Sequence, residues 1–140
     1  MALSNVPVLV QTPKIGLVQC VNADGTNPKT VVTPGTNGSK VTSLTVASND
    51  TASRTFNIFI TRSAANYLIG SVTVPAGSGN DGSTPSVNAL TSALIPGLPV
   101  DNDGQPYLFL QQNDALVVAL TTSSVTTAKT VSFAAVYGDF

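Results

Sequence analysis

The acidic segment Asp101-Asn102-Asp103-Gly104 comes nearest, in residue types and spacing, to a metal-binding loop. Carboxylate and amide oxygens are the ligands that calcium prefers, and a helix-loop-helix calcium site needs an acidic residue at its twelfth position. Counted from Asp101, that position is Gln112, and the residues around it are typical of a strand. We therefore interpret the segment as a polar turn in which Asp and Asn bond their own backbone. No metal site is predicted.

Other catalytic chemistries lack their essential residues. The glycine-rich residues 75–85 lack the Lys of a phosphate-binding loop, and we interpret them as a surface loop. The chain contains no His, no Glu and no Trp, so it cannot build a Ser-His or Cys-His nucleophile pair or an imidazole metal site. Its one cysteine, Cys20, lies among apolar residues and is interpreted as a buried small side chain. From these absences we predict that the chain is not an enzyme and binds no cofactor.

The charge content also restricts the partners. Charged residues make up 9% of the 140 residues, against roughly 25% in ordinary soluble domains. The net charge is −1, and the six Lys and Arg residues are scattered singly. Such a chain has no basic stripe for nucleic acid and no basic cluster for an anionic membrane. We therefore expect neither as a partner.

Alternating apolar and polar residues between Gly, Pro, Asn and Asp clusters predict an all-β domain. The pattern indicates seven or eight strands and a single β-sandwich, jelly-roll-like, over residues 14–140, with an extended arm at residues 1–13. The predicted strands are 14–21, 30–33, 40–47, 54–61, 67–74, 106–110, 115–121 and 130–137. One short helix is predicted at residues 85–94, ending before Pro96 and covering one open end of the sandwich.

Alternation along each strand also predicts which side chains share a face. Phe56, Ile58 and Ile60 should lie together on one face of their strand. Residues 68, 72 and 74, which are Leu, Val and Val, should do so on the next strand. Phe59 then faces away from Phe56 and Ile58, at a position where a polar residue is expected. An apolar residue there indicates burial on both faces or contact with another chain.

The remaining interface candidates lie at turns and at the chain ends. Arg54 and Arg62 flank the Phe59 strand, where they could bind a partner's carboxylates or cover apolar edges with their stems. Val8, Leu9 and Val10 belong to the predicted arm, which could add a strand to a neighbouring sheet. Phe140 is the last residue, and apolar chain ends usually dock onto the home domain or a neighbour. The predicted protein interface is therefore Val8, Leu9, Val10, Arg54, Phe59, Arg62 and Phe140.

Four segments, in order, resemble a known family. These are TPGTNGSKVTSLTVASNDTASRTFNIFI, YLIGSVTVPAGSGNDGSTPSVNAL, IPGLPVDNDGQPYLFLQQNDALVVAL and the terminal GDF. Over residues 32–140 they resemble small virion proteins of tailed bacteriophages that decorate or cement the capsid. The resemblance implies a β-sandwich without a catalytic motif, made in the host cytoplasm and bound to the major capsid protein on the virion surface. It also suggests a homo-oligomer, a dimer or trimer matching capsid symmetry.

Two alternatives remain open from the sequence. A tail, neck or head-fibre component of a virion would have the same composition. A carbohydrate-binding β-sandwich module is the other alternative, although such modules usually present Trp or Tyr platforms. Trp is absent here, and Tyr67, Tyr107 and Tyr137 lie within strand patterns.

Overall fold

The computed structural model describes residues 10–140 and contains two antiparallel sheets. A 3-10 turn, Asn22–Asp24, follows the first strand. The strands are β1 Thr12–Val21, β2 Lys29–Val32, β3 Ser39–Ser48, β4 Arg54–Arg62, β5 Ala65–Val74, β6 Val87–Asn88, β7 Leu108–Leu110, β8 Ala115–Leu120 and β9 Thr130–Asp139. Sheet A has the order β1-β9-β3-β6, with β7 also paired to β3, and sheet B has the order β2-β8-β4-β5.

Most consecutive strands belong to opposite sheets, so the chain crosses repeatedly between the two layers of the sandwich. Along each strand, alternate side chains point between the sheets into the core, and the others point to the outer face. Phe56 of β4 and Phe133 of β9 meet in the centre, with ring centroids 5.0 Å apart and an interplanar angle of 78°. Both rings are fully buried, as are Leu44 and Ile58. The all-β sandwich predicted from the sequence is confirmed.

The eight predicted strands all occur, and a β-bulge changes one of the predicted faces. Val72 and Val74 are buried as expected, but Leu68 is 60% exposed. The β4–β5 register shifts at the bulge, so Gly70 pairs with Ile58 while Leu68 pairs with Phe59. One extra residue in β5 reverses the alternation beyond it. The prediction that Leu68 shares a face with Val72 was therefore wrong.

The predicted helix at residues 85–94 was also wrong. Val87 and Asn88 form β6 against β3, and the Ala89 N–H then donates to the Leu44 carbonyl at 2.8 Å. Leu90 and Ile95 are buried in the core after the chain leaves β6. The open edge of β3 offers hydrogen bonds, and the core accepts the apolar side chains, so tertiary pairing overrides the weak helical periodicity.

The N-terminal part of the chain is described only from residue 10. The Gln11 N–H donates to the Asp139 carbonyl at 2.8 Å, and β1 begins at Thr12. The predicted arm of residues 1–13 thus overlaps the start of β1, and Val8 and Leu9 lie outside the described residues. Within residues 10–140, no helix has the length and apolar character needed to cross a membrane.

Candidate protein-interaction surfaces

Arg54 is held by its own chain. Its Nε donates to Asp50 at 2.8 Å, and its two terminal nitrogens donate to the hydroxyls of Ser123 at 3.1 Å and Thr126 at 2.9 Å. Only 15% of the Arg54 side chain is exposed, and the Asp50 side chain is fully buried. The guanidinium therefore ties the start of β4 to the β8–β9 connection. This geometry favours an architectural role for Arg54.

Asp50 is the centre of this network. Besides Arg54, its carboxylate accepts hydrogen bonds from the backbone N–H and hydroxyl of Thr126, at 3.0 and 2.6 Å, and from the Ala52 N–H at 3.1 Å. Burial raises the pKa of the Asp50 carboxyl, but these hydrogen bonds outweigh burial and hold it well below its ordinary value. Asp50 is therefore a charged structural hub.

Arg62 makes a bidentate ion pair at the other end of β4. Its Nε and a terminal nitrogen donate to the two oxygens of Asp114 at 2.6 and 2.8 Å. Asp114 is nearly buried, whereas 52% of the Arg62 side chain is exposed. The Arg62 guanidinium holds the pKa of Asp114 below its ordinary value, against the opposing effect of burial. The exposed part of Arg62 can still contact a partner.

Phe59 lies on the outer face of sheet B, between two apolar partners. Its neighbour Ile58 is fully buried in the core, whereas Phe59 is half-buried and pairs with Val117 of β8 and Leu68 of β5. We call Phe59, Leu68 and Val117 the sheet B patch. Val117 is 4% exposed although alternation places it on the outer face. The sheet B patch is an apolar row across three strands. A sheet face that contacts only solvent would usually carry polar residues at these positions.

Phe140 docks against its own domain, on the outer face of sheet A. Its N–H donates to the Gly38 carbonyl at 3.2 Å, and its ring lies 5.7 Å from that of Phe109. The Phe109 ring in turn lies 4.9 Å from that of Tyr107, over which the Lys40 amine sits at 4.4 Å. We call Tyr107, Phe109 and Phe140 the aromatic corner. Phe109 remains 53% exposed, so the corner offers aromatic surface to solvent.

The sequence reasoning missed exposed apolar residues on β1 and β9. Ile15 and Leu17 of β1 are 64% and 74% exposed, and Val136 of β9, which pairs with Ile15, is also exposed. Val10, one of the predicted interface residues, lies against Gly138 on the same outer face and is partly exposed. The alternation of β1 contained the signal: Gly16 and Cys20 face inward, so the odd-numbered Ile15 and Leu17 must face outward.

The D-N-D-G segment is a self-bonded turn. Asp101 accepts hydrogen bonds from the N–H groups of Asp103 and Gln105, both at 2.9 Å. Gly104 has a φ of 78°, which a glycine adopts without strain. Within residues 10–140 the structure has no cluster of three or more residues of the metal-ligating types His, Cys, Asp and Glu. The geometry favours the turn over the calcium loop.

Calcium should leave the melting temperature of the protein unchanged, because the Asp101 carboxylate already bonds its own backbone. Asp101→Ala should lower the melting temperature slightly, since the two N–H groups lose their acceptor. Both are measured by thermal melts with calcium and with a chelator. A calcium-dependent rise in wild type that Asp101→Ala abolishes would establish a calcium site instead.

The pKa values of Cys20 and of several carboxyl groups are shifted from their ordinary values. Burial raises the pKa of the Cys20 thiol to about 11, which keeps it protonated near neutrality. In the loop of residues 75–85, hydrogen bonds from Thr84 and Ser83 lower the pKa of Asp81 to about 2. The Lys14 amine and the Ser39 hydroxyl lower that of Asp139, against burial. The lowered pKa values keep both carboxyl groups ionised at neutral pH.

Stability should therefore decline in acid and stay nearly flat around neutrality. A carboxyl group whose folded pKa lies below its unfolded value of about 3.9 contributes its full stabilisation above that value. The contribution is lost as pH falls toward the folded pKa. With no His in the sequence, no side chain of ordinary pKa titrates between pH 6 and 8. Denaturant unfolding from pH 8 to 2 measures this, and a midpoint that falls between pH 8 and 6 contradicts it.

Two antiparallel sheets packed face to face define the chain as an all-β sandwich. A chain from the acidic stable capsid structure of Helicobacter pylori bacteriophage KHP30 has a similar fold. It matches with a TM-score of 0.57 at 9% identity, covering 93% of this chain and 90% of that chain. A chain from the cyanophage Pam1 capsid asymmetric unit matches with a TM-score of 0.45 at 17% identity, covering 99% and 94%. No protein-family model matches the sequence, and no curated protein shows significant similarity to it.

Proposed function

We propose that this chain is a structural protein of a phage virion that binds the outer surface of the capsid and cements contacts between major capsid protein subunits. The observation that carries the proposal is the fold shared, over 93% of this chain, with a chain from a phage capsid structure. The resemblance of its turn and strand segments, in order, to capsid-decorating proteins of tailed bacteriophages supports the same function. The finer proposal is a cement protein of the kind found in a short-tailed Bordetella phage.

The surface chemistry supports a binding role without catalysis. The sheet B patch and the aromatic corner lie on opposite outer faces of the sandwich, so one molecule can contact two neighbours at once. Only 9% of the residues are charged, and the charge placed against the aromatic corner is the Lys40 amine over Tyr107. Contacts between such surfaces lose little charge hydration on association. Phe59 and Phe140 of the predicted interface belong to these two surfaces, and the arm with Val8 and Leu9 remains a proposed third contact.

Thermodynamic linkage between binding and assembly explains how such a protein would cement the shell. A protein that binds the assembled shell but not free subunits lowers the free energy of the assembly. Interfaces of about 1,000–2,000 Å² each, repeated over the shell, would together resist dissociation even if each is modest. Bridging two subunits adds a further requirement, because the subunits cannot separate until one contact breaks.

Co-sedimentation of the purified protein with capsids that lack it tests the proposal. We expect saturable binding at a fixed ratio to capsid subunits and a higher temperature of capsid disruption. Binding without added thermal stability would contradict cementing while retaining a virion role. Binding restricted to a few copies per particle would favour the tail, neck or head-fibre alternative, and glycan binding without capsid binding would favour the carbohydrate module.

A further inference from the structure

The free edge of β1 is partly closed by the chain's own side chains. β1 pairs with β9 on one side, and within residues 10–140 no strand pairs with its other side. On that side the Lys29 amine donates to the Gln19 carbonyl at 2.6 Å. The Asp24 carboxylate accepts from the Val21 N–H at 2.8 Å. Residues 19 and 21 therefore direct their backbone groups toward the free edge.

The other odd-numbered residues of β1 have backbone groups without partners at this edge within residues 10–140. In a strand, residues two apart direct their backbone groups to the same side. The N–H and C=O groups of Ile15 and Leu17 therefore also face the free edge, together with the Pro13 carbonyl and the Gln19 N–H. Proline has no N–H to offer at position 13. A groove lined by Leu17, Val18, Gln19, Val21 and Lys29 runs beside this part of the edge.

This pattern of open and closed groups is complementary to itself. We propose that β1 pairs antiparallel with β1 of a second copy of this chain, about a two-fold axis at Gly16. In that register Ile15 of each copy lies opposite Leu17 of the other, and each exchanges both backbone hydrogen bonds. Pro13 lies opposite Gln19 of the other copy. The missing N–H of Pro13 then faces the Gln19 carbonyl that Lys29 already satisfies, while the Gln19 N–H donates to the Pro13 carbonyl.

The side chains of β1 also favour this pairing. Ile15 and Leu17 are the apolar residues at this edge, 64% and 74% exposed, and the pairing places them against each other. An inward-pointing Lys often protects an edge strand from pairing. Here the Lys14 amine is 2.5 Å from an Asp139 oxygen of its own chain, so its charge is compensated. Pairing would join two copies of sheet A into one continuous sheet.

Shifting the register by one pair loses this match. With a two-fold axis at Leu17, Ile15 would lie opposite Gln19 of the other copy. The Ile15 N–H would then compete with Lys29 for the Gln19 carbonyl. The arrangement of donors and acceptors therefore selects the axis at Gly16. This inference concerns the isolated protein and is independent of capsid binding.

The mass of the purified protein in solution, measured by light scattering across a range of concentrations, tests the dimer. We expect twice the 14.2 kDa mass of one chain for wild type and the monomer mass for Leu17→Lys, which places two lysines beside the shared axis. Val100→Lys is the matched control, because Val100 is a similarly exposed apolar residue in a loop, outside β1, the sheet B patch and the aromatic corner. A monomeric wild type, or equal loss in both variants, would overturn the proposal.

Cysteine cross-linking tests the register. Opposed residues of a hydrogen-bonded pair have Cα atoms about 5.5 Å apart, within the range of a disulfide. Ile15→Cys mixed with Leu17→Cys should form a covalent heterodimer under mild oxidation, and neither variant alone should cross-link efficiently. The native Cys20 is buried and contributes no background. Cross-linking of Leu17→Cys alone that exceeds the mixture would overturn the axis at Gly16.

Discussion

Replacing Asp50 by alanine should lower the free energy of unfolding by about 3–5 kcal/mol, the usual cost of removing one partner from a buried ion pair. The substitution leaves the mostly buried Arg54 guanidinium without its carboxylate. It also removes the acceptor for Thr126 and Ala52, so the β8–β9 connection loses its tie to β4. Urea unfolding at neutral pH measures the effect, and a loss below about 1 kcal/mol would contradict this role of Asp50.

Two further variants separate charge from packing in the Asp50 network. Asp50→Asn keeps the shape and some of the hydrogen bonds but removes the charge, so its loss should lie close to that of alanine. Asp103→Ala, at an exposed carboxylate in a turn, is the matched control and should change stability little. A mild Asp50→Asn would show that shape and hydrogen bonds, rather than charge, carry the stabilisation.

Capsid binding should weaken by about 30-fold or more when the sheet B patch is disrupted. Phe59→Ala removes the central ring of the patch, and loss of an interface hot spot costs about 2 kcal/mol or more. Phe59 is itself half-buried, so its removal also lowers stability to some extent. Leu68→Asp supplies the cleaner variant, because this side chain is mostly solvent-exposed and its replacement leaves the core intact.

The control for the binding experiment is Val100→Asp. Val100 is an apolar residue 55% exposed in a loop, outside both the sheet B patch and the aromatic corner. Quantitative co-sedimentation should give wild-type affinity for Val100→Asp and weakened affinity for Phe59→Ala and Leu68→Asp. Thermal melts of each free variant show that it is folded. Unchanged binding by Leu68→Asp, with Val100→Asp also unchanged, would move the contact away from sheet B.

The sequence predicted Phe59 as an outward residue because local alternation around it is intact. Phe56 and Ile58 are fully buried on one face, and Phe59 occupies the other. The same reasoning failed at Leu68, because the bulge that changes its face depends on the pairing of β5 with β4. A period-two pattern in β5 does not show which of its residues will be left unpaired opposite β4.

The different roles of Arg54 and Arg62 could not be predicted from the sequence for a similar reason. They are the first and last residues of β4 and looked equivalent in the sequence, yet Arg54 is enclosed by Asp50, Ser123 and Thr126 while Arg62 remains half-exposed beside Asp114. Three of these four partners lie more than 50 positions away from the arginine they bind. Residues that far apart meet only after the sheets have formed, so sequence reasoning could not distinguish a structural arginine from a binding one.

The sequence alone determined the all-β class, the eight long or well-patterned strands and the polar nature of the D-N-D-G turn, because alternation and turn chemistry are local properties. Only the tertiary structure decided that residues 85–94 follow the edge of β3, that Leu68 faces outward and that the odd-numbered backbone groups of β1 face an open edge. Edges, bulges and buried ion pairs arise from which strands become neighbours, and long-range pairing fixes these neighbours.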